Sequence, residues 1–252
     1  MIGKSKREAK AAIKGKVFEM FCIAFFMEIL ISAVITVVLN IIPMIITNNF
    51  QFTGIRDFID KVFYGDIDGL PPVWLLYSSI AGFLSVFLMY PLRAGDALFH
   101  LNAAKDGSQR AADIVKPYAK TLKIGIVFTG YSILIFVGFI FLIVPGIYFA
   151  LKYALLPYVL IDRPELSISE TFEEAARLSK GYKGDIFFMV FSFIGWFILL
   201  PFTFMIAAIY VMPYFSTSFA RLYLNIKEEK TPKSPAPPQP QPASSGQYFP
   251  YF

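Results

Sequence analysis

An ionisable side chain inside an apolar run is costly unless it is paired or used, so the chemistry of this chain begins with such residues. Glu28 lies well inside the apolar stretch 17–46, and Lys152 is the single charge between residues 133 and 161, with Tyr148, Tyr153 and Tyr158 around it. Each has an ordinary reading beside a sharper one. Glu28 is either a protonated or hydrogen-bonded carboxyl or a functional acid, and Lys152 either reaches water along its own stem or pairs with Glu28. Asp96 and His100 stand four apart, a spacing that suits a hydrogen-bonded pair on one helix face and would also suit a proton relay or two metal ligands. Two ligands do not make a metal site, and the hydrogen-bonded pair is the preferred reading.

Larger constellations are absent from the sequence. One histidine and one cysteine, Cys22, leave no zinc or haem cluster and no intramolecular disulfide. No nucleotide-binding, zinc-protease or serine-hydrolase motif occurs, so no catalytic residue and no cofactor is expected, and an enzyme is disfavoured.

The elements that carry these residues follow from composition. The chain has 252 residues, 56% hydrophobic and 17% aromatic, which excludes a water-soluble globule. Residues 133–161 are too long for one crossing, because about 20 residues span a bilayer core, and Pro145 with Gly146 supplies the expected hairpin bend. Apolar runs at 17–46, 73–91, 124–144, 147–161, 186–200 and 202–223 predict an all-α membrane protein: six transmembrane helices in three hairpins, joined by cytoplasmic amphipathic helices. Residues 1–16 read as a basic amphipathic helix, 17–226 as the membrane domain, and 227–252 as a disordered tail rich in proline and glutamine. Between the first two spans, Ile55, Phe58, Ile59, Val62 and Phe63 predict a short helix in the interface plane. Ser167 and Glu170 form a capping box that opens a further helix lying on the membrane, ended at Gly181.

Charge sets the orientation. One side of the six-span arrangement receives 20 basic residues and the other receives Arg56 and Lys61, so both termini face the cytoplasm. Cationic flanks of that kind meet anionic lipid headgroups, which accounts for the net charge of +5 without nucleic acid.

The returning helices share a pattern: LMYPLRAG around Pro91, LLPYVLID around Pro157 and VMPYFSTS around Pro213. Proline kinks a helix and frees a carbonyl, so three kinked helices could line a crevice with Tyr90, Tyr158 and Tyr214 beside the bends.

The run VPGIYFALKYALLPYVLIDRPELSISETFEEAARLSKGYKGDIFFMVFSFIGWFILL, continuing to VMPYFSTSFARLY, resembles the integral membrane family called domain of unknown function nine-seventy-five, found chiefly in Gram-positive bacteria. The basic N-terminal helix, the PG turn, KG-x-K and FIGW are its most specific parts, and the proline-rich tail departs from it. The resemblance implies a six-span, multi-pass protein of the bacterial cytoplasmic membrane and carries over no catalytic residue. The expected function is a non-enzymatic module that binds or moves an amphiphile, a lipid or hydrophobic peptide. The alternative is a structural or regulatory subunit that meets another membrane protein or a second copy of itself.

Overall fold

Runs of Leu, Ile, Phe and Val with few breakers favour helices in an apolar solvent, where each backbone polar group must be satisfied within its own segment. The computed structural model describes residues 1–41 and 72–231, and among them regular structure is helical, with no strand. The interface helix expected around Ile55 and the tail beyond residue 231 lie outside the described residues. Helix α1 spans Ile2–Ala12, and α2 spans Val17–Thr36 with a π turn at Val37–Ile41. Next come α3 (Pro72–Lys105), the short α4 (Ala112–Val115) with a 3-10 turn at Lys116–Lys120, and α5 (Thr121–Phe141). The chain continues through α6 (Ile143–Lys152), α7 (Leu156–Asp162) and α8 (Ile168–Ser179). It ends in α9 (Lys183–Phe191), α10 (Ile194–Phe202) and α11 (Ala208–Lys230).

Four stretches among the described residues are long and apolar enough to cross a membrane: Val17–Leu39, Ala112–Phe141, Ile143–Asp162 and Lys183–Phe202. Their outer surfaces carry Phe25, Phe26, Phe136, Phe141, Val144, Phe188 and Phe202, all exposed. A continuous apolar surface of that kind suits lipid tails rather than water. Helix α11, where the sixth span was expected, begins at Ala208 and runs through to Lys230.

Packing is concentrated elsewhere. The second half of α3 is small-residue rich, with Ala94, Ala97 and Ala104 buried, which lets α7 and α11 approach it closely. Leu101, Val127, Leu156, Val159, Leu178, Met189 and Leu222 complete this core. Thr217 on α11 meets His100 on α3, while Lys227 and Lys105 further along converge on Asp162, so α11 and the second half of α3 run in the same direction.

The hairpin bend differs from the sequence expectation. Helix α5 stops at Phe141, Leu142 alone takes an extended conformation (φ −169°, ψ 154°), and α6 restarts at Ile143. Pro145 therefore sits in the first turn of the returning helix, where its missing N–H has no helical partner to lose. Gly146 is a point of close approach: a Cβ on Gly138 would lie 2.9 Å from its Cα. The separator expected at Pro201 is likewise displaced, because Pro201 lies inside α10 and the bend falls at Phe204 and Met205, both with positive φ. Helix α8 starts at the expected capping box, with both of its hydrogen bonds formed. Its buried stripe is Thr171, Ala175, Leu178 and Ser179, so this face meets protein core rather than membrane. Gly181 follows its end with φ +90°, a conformation that glycine adopts without strain.

Candidate functional site

Three helix segments that carry the repeated prolines border one groove. Pro91 and Pro213 lie inside uninterrupted helices, α3 and α11, while Pro157 opens α7 after the chain loosens between Lys152 and Leu156. Proline at the start of a helix is pre-organised and costs no hydrogen bond, so Pro157 marks a break rather than a kink. At Pro91 the Tyr118 hydroxyl donates to the Leu88 carbonyl at 3.1 Å, beside the carbonyl that proline leaves without its helical donor.

The groove has a volume of about 390 Å³ and is lined by Tyr90, Arg93 and Asp96 of α3, Phe128, Tyr131 and Ser132 of α5, Ala154, Pro157 and Tyr158, and Phe215, Ser216 and Phe219 of α11. Tyr90 stacks on Phe128 with centroids 5.4 Å apart, and its hydroxyl lies 3.3 Å from Ser132 Oγ. Tyr158 is buried, donates to the Ser216 carbonyl at 3.3 Å and stacks on Tyr223. These contacts hold the aromatic walls in place. Arg93 is exposed and supplies the positive charge of the lining.

Asp96 joins the groove to a buried polar contact. Its Oδ1 lies 3.4 Å from His100 Nε2, and His100 Nδ1 lies 3.1 Å from Thr217 Oγ1. The two side chains read as a pair from the sequence thus stand within ion-pair distance, and His100 also meets a hydroxyl on α11. Among the described residues no three His, Cys, Asp or Glu side chains converge as metal ligands.

The other sequence candidates fall apart from this site. Glu28 is exposed on α2, and no ion pair joins it to Lys152 among the described residues. Lys152 Nζ instead lies 4.9 Å from the Tyr153 ring centroid. Tyr214 packs on Phe193 at 5.1 Å and on Tyr210 at 5.5 Å, outside the groove lining. Of the candidate residues, Tyr90, Asp96, Pro157 and Tyr158 line the groove, and Pro91 lies two residues before Arg93.

Sequence reasoning missed two charge clusters, one of which ties together three helices that wall the groove. Asp162, only 5% exposed, accepts from Lys105 Nζ at 2.5 Å, from Lys227 and from the Tyr223 hydroxyl at 2.7 Å, tying together α7, α3 and α11. Glu174 receives Arg163 at 2.8 Å and a two-pronged Arg177 at 2.6 and 2.8 Å. Arg177 holds its carboxyl below the ordinary glutamate range by hydrogen bonding, against the opposing effect of burial, and the charges of Arg177, Arg163 and Lys227 add to this. The signal in sequence was an acid at the end of an apolar helix with a lysine at the end of two others.

Among the described residues regular structure is all helical and four stretches are long and apolar enough to cross a bilayer, an arrangement compatible with a membrane protein. Residues 111–230 match the family described as protein of unknown function, DUF975, so the resemblance drawn from the sequence is shown over that stretch. The basic N-terminal helix lies outside the matched residues. No curated protein and no solved structure matches the chain.

Proposed function

We propose that the chain is a non-enzymatic, six-span membrane module that takes an amphiphile into the groove between α3, α5, α7 and α11. The first half of α3 and the first half of α11 supply the second and sixth crossings. Both termini face the cytoplasm, as the 20 to 2 distribution of basic residues implies, and the membrane is a bacterial cytoplasmic one. Contact with anionic lipid headgroups on the cytoplasmic side, and with a membrane-protein partner or a second copy, belongs to the same proposal.

One observation carries the reading: a groove of about 390 Å³ lined by six aromatic side chains with a single exposed cation, Arg93, at its polar part. The volume falls in the ordinary small-molecule range of about 300–1,000 Å³. Aromatic walls favour an acyl or other apolar chain, and the exposed Arg93 guanidinium favours a negatively charged headgroup.

A fluorescent single-chain amphiphile with an anionic headgroup, titrated into the protein in lipid discs, tests this. Ala154→Trp fills the groove and Arg93→Gln removes its charge, and each should weaken binding by about tenfold, roughly 1.4 kcal/mol. Affinity unchanged in both variants would overturn the reading.

A further inference from the structure

The six basic residues of the N-terminal segment are not equivalent. Lys4 pairs with Glu8 at 3.8 Å, Lys6 lies 4.2 Å from the Phe193 ring centroid, and Lys16 donates to the Gly107 carbonyl at 3.1 Å. Three others, Arg7, Lys10 and Lys14, line a second groove, of about 530 Å³, with Ala11, Ile13, Gly15, Val17 and Tyr210. No acidic side chain belongs to this lining, and all three cations are exposed.

Its position is as informative as its charge. The groove lies where α1 hands over to α2, whose apolar surface begins with the exposed Phe18. Tyr210 forms its far wall and lies 6.1 Å from Trp196, and paired tyrosine and tryptophan suit the headgroup level of a bilayer. Buried Ser5, Ala9 and Ile13 hold α1 to the protein, and Asn225 on α11 donates to Ser5 Oγ at 3.0 Å and Glu8 at 3.1 Å. The cationic side of α1 is thus fixed in place rather than free to reorient.

We infer that Arg7, Lys10 and Lys14 form a binding site for the phosphate of an anionic phospholipid, whose acyl chains lie along α2. The site is separate from the amphiphile groove and rests only on the part of the reading above that puts the chain in a membrane with anionic headgroups beside α1. Three cations without an acid leave a net positive pocket that a phosphate monoanion complements. The apolar floor and the adjoining α2 surface favour phosphate carried on a lipid over the free ion.

Native mass spectrometry of the full-length protein, released from mixed vesicles of phosphatidylglycerol and phosphatidylcholine, reads the site directly. Wild type should retain phosphatidylglycerol selectively. Arg7→Gln, Lys10→Gln and Lys14→Gln together should cut that preference at least about tenfold. Lys4→Gln, outside the groove, should leave it unchanged. The charge-conserving set Arg7→Lys, Lys10→Arg and Lys14→Arg should keep it, which separates lost charge from a disturbed helix. Equal retention of both lipids by wild type, or full selectivity in the glutamine variant, would overturn the inference. Displacement of the bound lipid by millimolar inorganic phosphate would assign the pocket to the soluble ion and overturn its assignment to a lipid.

Discussion

At the scale of residues, charge here is handled by pairing rather than by isolation. Glu174 is 12% exposed and is met by two guanidinium groups, Arg163 from the end of α7 and Arg177 from its own helix. Because its folded pKa lies below the unfolded value, it stabilises the fold above the ordinary glutamate range, and that contribution is lost as pH falls through the folded pKa. Glu174→Gln should therefore lower stability near neutral pH by about 1.5–3 kcal/mol, the worth of a hydrogen bond to a charged group. The gap to wild type should close on acidification below about pH 4. A melting series in detergent checks this, and a gap that stays constant down to acid would contradict it. Glu28 and Lys152 show the other side of the same rule. Both were legible as unusual residues, but the sequence holds no information on which way a helix is rotated, and the fold turns Glu28 outward while Lys152 rests on Tyr153.

Among elements, the decisive feature is that three helix segments end on one carboxylate. Asp162 closes α7, and Lys105 and Lys227 come from the last turns of α3 and α11, where cations also favour the helix dipole. Asp162→Asn would leave two lysines facing each other without a counter-charge. The expected loss is about 2–3 kcal/mol, somewhat below that for a fully buried pair because both lysines retain access to water. Unfolding of the variant in detergent should show this loss, and unchanged stability would mean that the cluster does not join the helices. Helix existence and the Ser167 to Glu170 cap were readable, since both rest on local patterns. The bends were not read correctly. Pro145 and Pro201 drew attention as breakers, yet Pro145 sits in a first turn, where proline is tolerated, Pro201 lies inside α10, and the helices break at Leu142 and at Phe204–Met205 instead. Only the close approach of Gly138 to Gly146 shows why the PG pair is there.

Taken whole, the molecule has an outer zone of exposed apolar helices and a base in which helix ends are packed and charge-paired. The second span was expected to end at residue 91, but α3 continues to Lys105, with Ala94, Ala97 and Ala104 buried in the core. The repeat around Pro91, Pro157 and Pro213 was read as three kinks, but Pro157 opens α7 rather than bending it. Residues of those three segments, Tyr90, Arg93, Tyr158 and Phe215 among them, line the groove, although Tyr214 packs away from it and Tyr131 on α5 had no sequence mark. Neighbours across helices cannot be read from a single chain without contacts. A single-particle structure of the protein in a lipid disc, without detergent, tests the central claim most directly. Elongated density should fill the groove against Tyr90, Phe128 and Tyr158, with its polar end at Arg93. A groove closed by its own side chains, or empty while ordered lipid occupies the outer helices, would contradict the account.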